Sequence, residues 1–532
     1  MLTLGINCLL HDTAIALVHD GRLVAAVEEE RFTRVKHQAG LFNGGGMPLN
    51  SLRWILSNYG AYPQDIDRFC YAGAVDLYPS FLKAQVETLR RHAKELDSGM
   101  ERSLFLDHHY CHAVSAFAGS GFERALIVTV DGEGDAVSIM LAAVGPEGIK
   151  PILRLPPSSS LGHLYTKVTR AMGFLAYGDE GKVMALAEHS ERSSFDQWGT
   201  PVVVDSETGL VEVDWQAVRL LCSEACDVNS AFDRQVELAG ALQNTLEHAL
   251  CQLVLFGIAR TGLAKVCLAG GVALNCCANR AISLLPEVEA LFVPFCAGDQ
   301  GTAIGAALLG DALYCATMHG HSYNSPYLGP SYSQDECRQE LQSSGISYVQ
   351  PEQPEQLAAR LILDNMVVGW LSGRAEFGPR ALGARSIFAA SHLPGISDRL
   401  NCQVKHRATW RPFAPMVLEF DGHTLFEEPC QNPYMTSTAK VSPKARHLLS
   451  QTISARSTSR LQTVMPEKLP DVACILEEIR RETGAGTLLN TSFNDAGEPM
   501  VLSPRDALRT FFSTGLDHLF LSGLWVAKRD AK

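Results

Sequence analysis

The strongest constraint on this chain is an arrangement that occurs twice. Near the start, Leu2–Ile6 and Ala14–Val18 read as apolar strands, Asp20-Gly21 is a hairpin signal, and Leu23–Val27 continues the sheet. His11-Asp12 lies in the first connection. The same layout returns further along. Ala125–Val130 is a buried-strand run, Asp131-Gly132-Glu133-Gly134-Asp135 reads as a tight polar loop, Val137–Val144 is the next strand, and Gly145-Pro146-Glu147-Gly148 turns into another. Two β-β-β units, each with an acidic loop after its first strand, predict a duplicated α/β domain whose two halves face each other across a cleft.

That is the plan of the actin-like ATPase (ASKHA) fold, in which the halves pinch a nucleotide. Two glycine segments fit the same cleft. Gly270-Gly271-Val272-Ala273-Leu274-Asn275 follows a strand, and Gly298-Asp299-Gln300-Gly301 runs from a strand at Phe292–Phe295 into a small-residue helix. Glycines let backbone N–H groups approach phosphates, and a helix start adds positive potential. Gly270, Gly271, Asn275 and Gly298 are therefore nucleotide candidates. Composition turns loop-like around Tyr323–Pro330, which predicts domains over 1–325 and 326–532. Helices are expected over Gln334–Ser343 and Gln356–Asn365, then a strand over Val367–Leu371, so the second domain reads as a separate α/β unit.

Bulk properties exclude other classes. With 532 residues, each domain has enough interior to fold without staples. The net charge of −13 argues against nucleic acid as a partner, because phosphate backbones need a surplus of Lys and Arg. No run approaches the roughly 20 apolar residues of a membrane span, and the first residues lack the features of a signal peptide. Fifteen scattered cysteines without a Cys-x-x-Cys pair read as reduced and cytoplasmic.

Two concentrations of residues carry chemistry. His108 and His112 are four apart in Asp107-His108-His109-Tyr110-Cys111-His112-Ala113, where the following alanines predict helix. That spacing places both imidazoles on one helix face, as a single metal ion requires. Asp131 ends a buried strand and Asp299 sits in a glycine turn, so both can point into the same cleft. The second concentration is cationic. Arg380 and Arg385 lie in Phe377-Gly378-Pro379-Arg380-Ala381-Leu382-Gly383-Ala384-Arg385, and Lys405, Arg407 and Arg411 follow, interleaved with Trp410, Pro412 and Phe413. Asn490-Thr491-Ser492-Phe493-Asn494 adds hydroxyls and amides in a turn. Arginines in an otherwise acidic chain predict a pocket for a phosphorylated anion.

These motifs, in this order, resemble the O-carbamoyltransferases of nodulation-factor and antibiotic tailoring (the NodU/CmcH family, which includes tobramycin carbamoyltransferase). The carriers are His11-Asp12, Glu28-Glu29-Glu30-Arg31-Phe32 with Lys36-His37, the histidine cluster, Val130-Asp131-Gly132, Glu180-Gly181-Lys182-Val183-Met184, Gly270–Asn275, Phe377–Gly383, Arg411-Pro412-Phe413-Ala414-Pro415 and Thr491–Asn494. The resemblance covers nearly the whole chain. It implies an ASKHA N-terminal domain like that of the threonylcarbamoyl-transferases and a YrdC-like C-terminal domain. It also implies that carbamoyl phosphate and ATP form carbamoyl-adenylate in the latter. Transfer to a small-molecule hydroxyl, as in natural-product and antibiotic biosynthesis, then occurs in the former.

By motif matching, the resemblance places Fe2+ (or Zn2+ or Mn2+) on His108, His112, Asp131 and Asp299. It places carbamoyl phosphate and Mg2+-ATP on Arg380, Arg385, Lys405, Arg407, Arg411, Arg460, Ser492 and Asn494. It puts nucleotide near Gly181 and Lys182, His11 at the transfer site, Asp12 there as a candidate base, and Lys36 as a phosphate or carbamoyl contact. Relatives are compatible with a homodimer. One motif departs: where relatives show Asp-Gly-Thr-Ala-Arg, this chain has Arg456-Ser457-Thr458-Ser459-Arg460. Two other readings stand beside the transferase. One is an ASKHA-type small-molecule kinase, which leaves the Arg-rich domain unused. The other is an inactive nucleotide-binding regulatory protein, which leaves the intact His, Asp, Arg and Lys sets unexplained.

Overall fold

In the computed structural model, Leu2–Asn7, Ala14–His19 and Arg22–Glu28 form an antiparallel meander. Arg68–Ala72 and Ser103–Leu106 extend the sheet in parallel on the far side of Leu2–Asn7. The second set repeats this. Ala125–Gly134, Val137–Gly145 and Gly148–Leu155 are antiparallel, and Lys265–Ala269 and Ala290–Phe292 add in parallel beside Ala125–Gly134. Both sheets carry the spatial order third, second, first, fourth, fifth. The duplicated actin-like plan predicted from the two acidic loops is therefore the plan of this part of the chain.

Two local expectations need correction. The run Asp131–Asp135 is largely strand, which continues to Gly134 through a register shift. The turn falls on Asp135 and Ala136, both at positive φ. The strand expected over Phe292–Phe295 stops at Phe292, two residues before Pro294, which has no N–H to offer a ladder.

Residues 1–74, 83–190, 201–225, 232–315, 323, 325–428 and 431–528 are described; Asn324, in the loop-like stretch, lies outside them. The chain divides into two compact units, Met1–Ser325 and Pro326–Lys532. Among the described residues, no helix is long and apolar enough to cross a membrane.

Two helices position the centre of the first unit. His108–Ser120 follows the last strand of the first sheet; the Asp107 side chain accepts the Tyr110 N–H at its start, and Gly121 at φ 69° ends it. Gln300–Cys315 follows the last strand of the second sheet. Each helix packs on the other half's sheet: His108–Ser120 on Ala125–Gly134 and Lys265–Ala269, and Gln300–Cys315 on Leu2–Asn7 and Arg68–Ala72. The two helices also pack on each other, and glycine sets how closely. A Cβ on Gly305 would lie 1.8 Å from the Cys111 carbonyl oxygen, and one on Gly5 would lie 1.9 Å from the Ala303 oxygen. Ala303, Ile304, Ala306 and Ala307 are completely buried at this crossing.

The second unit is built on a mixed seven-stranded sheet in the order Gln462–Val464, Ala414–Leu418, Thr487–Ser492, Arg385–Ala389, Val368–Leu371, His518–Leu521, Leu524–Ala527. Alternation along Val367-Val368-Gly369-Trp370-Leu371 splits the core between two faces. Val367 and Leu371 join Cys337, Leu341 and Phe511 on one face. Val368 and Trp370 join Ile362, Ile475 and Leu476 on the other. The first face is covered by helices Gln334–Ser343 and Pro504–Ser513, each opened by a reciprocal serine–carboxylate cap, Ser333 with Glu336 and Ser503 with Asp506. The segment read as a turn at Asn490–Asn494 is strand as far as Ser492.

Because the crossing at Gly305 leaves no room for a methyl, Gly305→Ala is expected to destabilise the protein by about 1–3 kcal/mol through overpacking. A thermal melt of the variant beside the parent checks this; an unchanged midpoint would mean that the helix pair can move apart freely.

Candidate functional site

The ends of both sheets meet at one buried cluster. Helix spacing puts the Nε2 atoms of His108 and His112 3.1 Å apart. Asp131 brings Oδ2 to 3.1 Å from His108 Nε2 and 3.4 Å from His112 Nε2. Asp299, just before the second helix, brings Oδ1 to 3.6 and 3.5 Å from the same two atoms. All four residues are buried. A tetrahedral ion with ligands at about 2.1 Å would set its ligand atoms about 3.4 Å apart. The five separations match that spacing, and the His₂Asp₂ donor set suits a divalent transition metal. Asp299 Oδ1 is buried with no hydrogen-bond partner, as an atom reserved for an ion would be. The residues present therefore fit the metal that the resemblance implies.

The surroundings hold each ligand in place. Asp131 Oδ1 accepts the N–H groups of Gly132 at 2.8 Å and Gly271 at 3.1 Å, which leaves Oδ2 for the cluster. Gly270 sits at φ +93° with its Cα against the Val130 carbonyl, 2.2 Å from where a Cβ would lie, so the paired glycines let this loop reach Asp131. The His108 N–H donates to Asp135 Oδ2 at 2.7 Å, and the His108 ring lies where a Cβ on Gly134 would stand. His109 is no ligand. Its Nε2–H donates to the Val137 carbonyl at 2.9 Å and Nδ1 accepts from Thr129 Oγ1 at 2.7 Å. Burial, then the charges of His108 and His112, push His109 down to about 3, so it stays neutral. For His108 burial acts downward, but Asp299 and the hydrogen bond to Asp131 outweigh it and raise the ring to about 9. Against its own burial, Asp131 is held well below the usual carboxylate range by hydrogen bonds from the two histidines.

Beside the cluster, His11 Nε2 lies 3.7 Å from Asp299 Oδ2. Asp12 bridges two imidazoles, Oδ2 to His11 Nδ1 at 2.9 Å and Oδ1 to His37 Nδ1 at 2.9 Å. Although burial opposes it, those two bonds hold Asp12 far below the usual range. Both Asp12 oxygens are thus engaged, and the His11 Nε2 faces the cluster. His37 and Glu30 carry no role in the sequence reading. Their signal was the Glu28–Arg31 run followed by Lys36-His37, whose carboxylates are all buried.

The nucleotide candidates divide. Lys182 pairs with Asp179 at 2.7 Å, and the exposed Lys36 acts on the same carboxylate. Gly181 lies in the first turn of helix Glu180–Ala187, with open space where a Cβ would be. Gly298 lies directly before Asp299, with Gln300 Oε1 2.8 Å from a Cβ position. Asn275 is a correction. Its Oδ1 caps helix Cys276–Ser283, and its amide exchanges hydrogen bonds of 2.9 Å with the buried Gln243, so it fixes the loop instead of facing a ligand.

The cations of the second unit also divide. Arg407, Arg411 and Arg460 are close enough that burial, then the charges of the other two, push the Arg407 guanidinium downward. Arg407 stacks 4.5 Å over Phe413 and donates to Asn401 Oδ1 at 2.7 Å. Arg460 Nε is buried without a partner. Three guanidinium groups therefore repel one another at this place. Arg380 lies half-buried in the Phe377–Gly383 loop, which the buried Glu376 shapes by accepting the N–H groups of Leu382, Ala384 and Arg385 on one oxygen at 2.7–3.0 Å.

Arg385 is fully buried, and each of its three nitrogens donates to carbonyls, those of Leu502, Ser372, Gly373, Ala384 and Pro330. It organises the backbone around it. Lys405 is also committed, donating to the Ser492 and Asn494 carbonyls at 2.9 and 2.8 Å and to both side chains. Ser492 donates on to Asn494 Oδ1 at 2.7 Å, so these three hold one another as the wall of the site.

The family model described as carbamoyltransferase N-terminus matches residues 2–102, 76–197 and 204–308, and that described as carbamoyltransferase C-terminus matches 359–528. Nodulation protein NolNO of Sinorhizobium fredii is 36% identical over 99% of this chain and 80% of its own length. Nodulation protein NolO of Bradyrhizobium diazoefficiens is 34% identical over 80% of this chain and 79% of its own. Uncharacterized protein sll1178 of Synechocystis is 30% identical over 99% and 96%. The chain that gathers these two histidines, two aspartates and clustered arginines belongs to the carbamoyltransferase family.

Proposed function

We propose that this protein is an ATP-dependent O-carbamoyltransferase, with adenylation in the second unit and transfer in the first. The single observation that carries the reading is the convergence of His108, His112, Asp131 and Asp299 on one ion-sized space in a member of this family. In the second unit, which the resemblance makes YrdC-like, Arg380, Arg407, Arg411 and Arg460 neutralise carbamoyl phosphate and Mg2+-ATP. Water cleaves carbamoyl phosphate to carbamate and phosphate, a carbamate oxygen attacks the α-phosphorus of ATP, and pyrophosphate leaves. Carbamoyl-adenylate is the product. The Lys405–Ser492–Asn494 set keeps the wall rigid around these anions.

In the first unit, His108, His112, Asp131 and Asp299 would hold a divalent ion, Fe2+ by resemblance and Zn2+ or Mn2+ by donor type, which would supply polarisation of the carbamoyl oxygen. Against its burial, the Asp299 charge and the Asp12 hydrogen bond raise His11 to about 10, so it is the neutral fraction of this ring, oriented by Asp12, that takes the proton of the acceptor hydroxyl as its oxygen attacks the carbamoyl carbon, and AMP departs. The Asp131 anchor through Gly132 and Gly271 keeps one carboxylate oxygen turned to the ion throughout. Lys36, Gly181 and Lys182 lie together around Asp179 as the nucleotide contact.

The acceptor is a small-molecule hydroxyl. Incubation with ATP, carbamoyl phosphate and candidate acceptors should yield AMP, pyrophosphate and a product heavier by about 43 Da; ADP instead would identify a kinase. Under these conditions His108→Ala is expected to abolish transfer while carbamoyl phosphate-dependent pyrophosphate release persists. Arg411→Ala should instead slow pyrophosphate release by about a hundredfold, and transfer with it, because transfer consumes the adenylate. Loss of pyrophosphate release in His108→Ala would overturn the division of labour. Ion affinity should also depend on pH. His108 is protonated in the ion-free site up to about pH 9, and a ligating imidazole must be neutral. Zn2+ affinity measured by competition with a chelator should therefore rise by up to about tenfold per pH unit between pH 7 and 9. A flat profile would mean that His108 is not a ligand.

A further inference from the structure

The Glu28–Arg31 run and His37 are absorbed by no step above, yet they form one continuous network ending at the proposed base. Arg31 is buried and its guanidinium binds Glu28 Oε1 at 3.1 Å and Glu30 Oε1 at 2.9 Å. The other oxygen of Glu30 accepts the backbone N–H of His37 at 2.7 Å. Glu29 binds Asn50 and Ser51, through backbone and side chain, and so ties the same segment to helix Leu49–Asn58. His37 sits at φ +54° and Asp12 at φ +50°, left-handed conformations that histidine and aspartate enter more readily than most residues and that these bonds hold in place. Asn7 Nδ2 donates to the carbonyls of His11 and Asp12 at 3.0 Å and keeps that second turn closed.

The hydrogen-bond logic then fixes protons. An ionised Asp12 can only accept. Both rings facing it must therefore carry hydrogen on Nδ1, and a neutral His11 keeps its lone pair on Nε2, the atom nearest Asp299. With only His11 present, the Asp12 carboxylate could rotate or take a proton; a second Nδ1–H on its other oxygen removes both freedoms.

We infer that His37 is a positioning residue for carbamoyl transfer, set by the Arg31–Glu30 pair and acting through Asp12 to fix the tautomer and direction of His11. This rests on the reading of His11 as the proton acceptor.

Long-range proton–nitrogen correlation on the full chain labelled at histidine, with Zn2+ as a diamagnetic ion, reads the tautomer directly; His11→Ala and His37→Ala identify the two signals. In the parent, both rings should appear as Nδ1–H. In His37→Ala, the His11 signal should shift toward a mixture of tautomers. His37→Asn, whose side-chain N–H falls near the Nδ1 position, should restore it, while His37→Gln should not. Transfer to whichever acceptor the mass-shift screen yields should fall by about tenfold or more in His37→Ala and recover in His37→Asn, with pyrophosphate release constant across the set. A melt confirms that all variants are folded. An unchanged His11 signal in His37→Ala overturns the inference and leaves the function standing. Full transfer activity in His11→Ala overturns the function's choice of base instead.

Discussion

Two carboxylates and two imidazoles meeting in a buried space are the interaction on which the first unit depends. Isolated, each buried carboxylate would be expensive, and the fold tolerates the group only because its charges face one another and the atom set suits a cation. The duplicated topology makes the meeting possible. Each sheet's first and last strands end at the same side, as ligand sites at the carboxyl ends of strands require. The first half supplies His108 and His112 after its last strand and His11 after its first. The second half supplies Asp299 after its last and Asp131 within the final stretch of its first. No half alone holds a site. The glycine-lined crossing of the two helices, where Gly305 meets Cys111, brings the contributions together.

The second unit solves the opposite problem. Burial makes the mutual repulsion of Arg407, Arg411 and Arg460 felt. What prevents collapse is a backbone held by other charges. Arg385 ties together five carbonyls, Glu376 gathers three N–H groups, and Lys405 clamps Ser492 and Asn494. Cations of identical type thus do two jobs, and burial with carbonyl partners separates the structural ones from the others.

That separation marks the limit of what the sequence discloses. The repeated β-β-β pattern is legible because hairpin turns and apolar alternation are local, and the His-x-x-x-His spacing is legible because a helix turns at a fixed pitch. Arg385 and Arg380 look alike in the chain, since nothing local says that the Arg385 side chain will meet the carbonyls of Pro330 and Leu502. Asp12 looked like a base because acidity is visible in a sequence, whereas its engagement by His37, twenty-five residues on, is a tertiary fact. Asn275 beside paired glycines resembled a phosphate loop; Gln243, from a distant helix, claims its amide. Strand ends were missed where the chain bends under tertiary demand, as at Gly134.

The departure at Arg456-Ser457 can now be weighed. Ser457 sits at φ +62°, a left-handed conformation that favours glycine, and serine there costs about 1–2 kcal/mol of local strain. The loop nonetheless closes: the Ser457 N–H donates to Ser454 at 2.9 Å, its carbonyl accepts from Val441 at 2.9 Å, and its hydroxyl accepts from Arg446. Its shape is therefore held by bonds that do not need glycine. Arg456 stands four residues before Arg460, whose charge is felt at Arg407, so along the chain this loop adds a cation, not a carboxylate, next to that group.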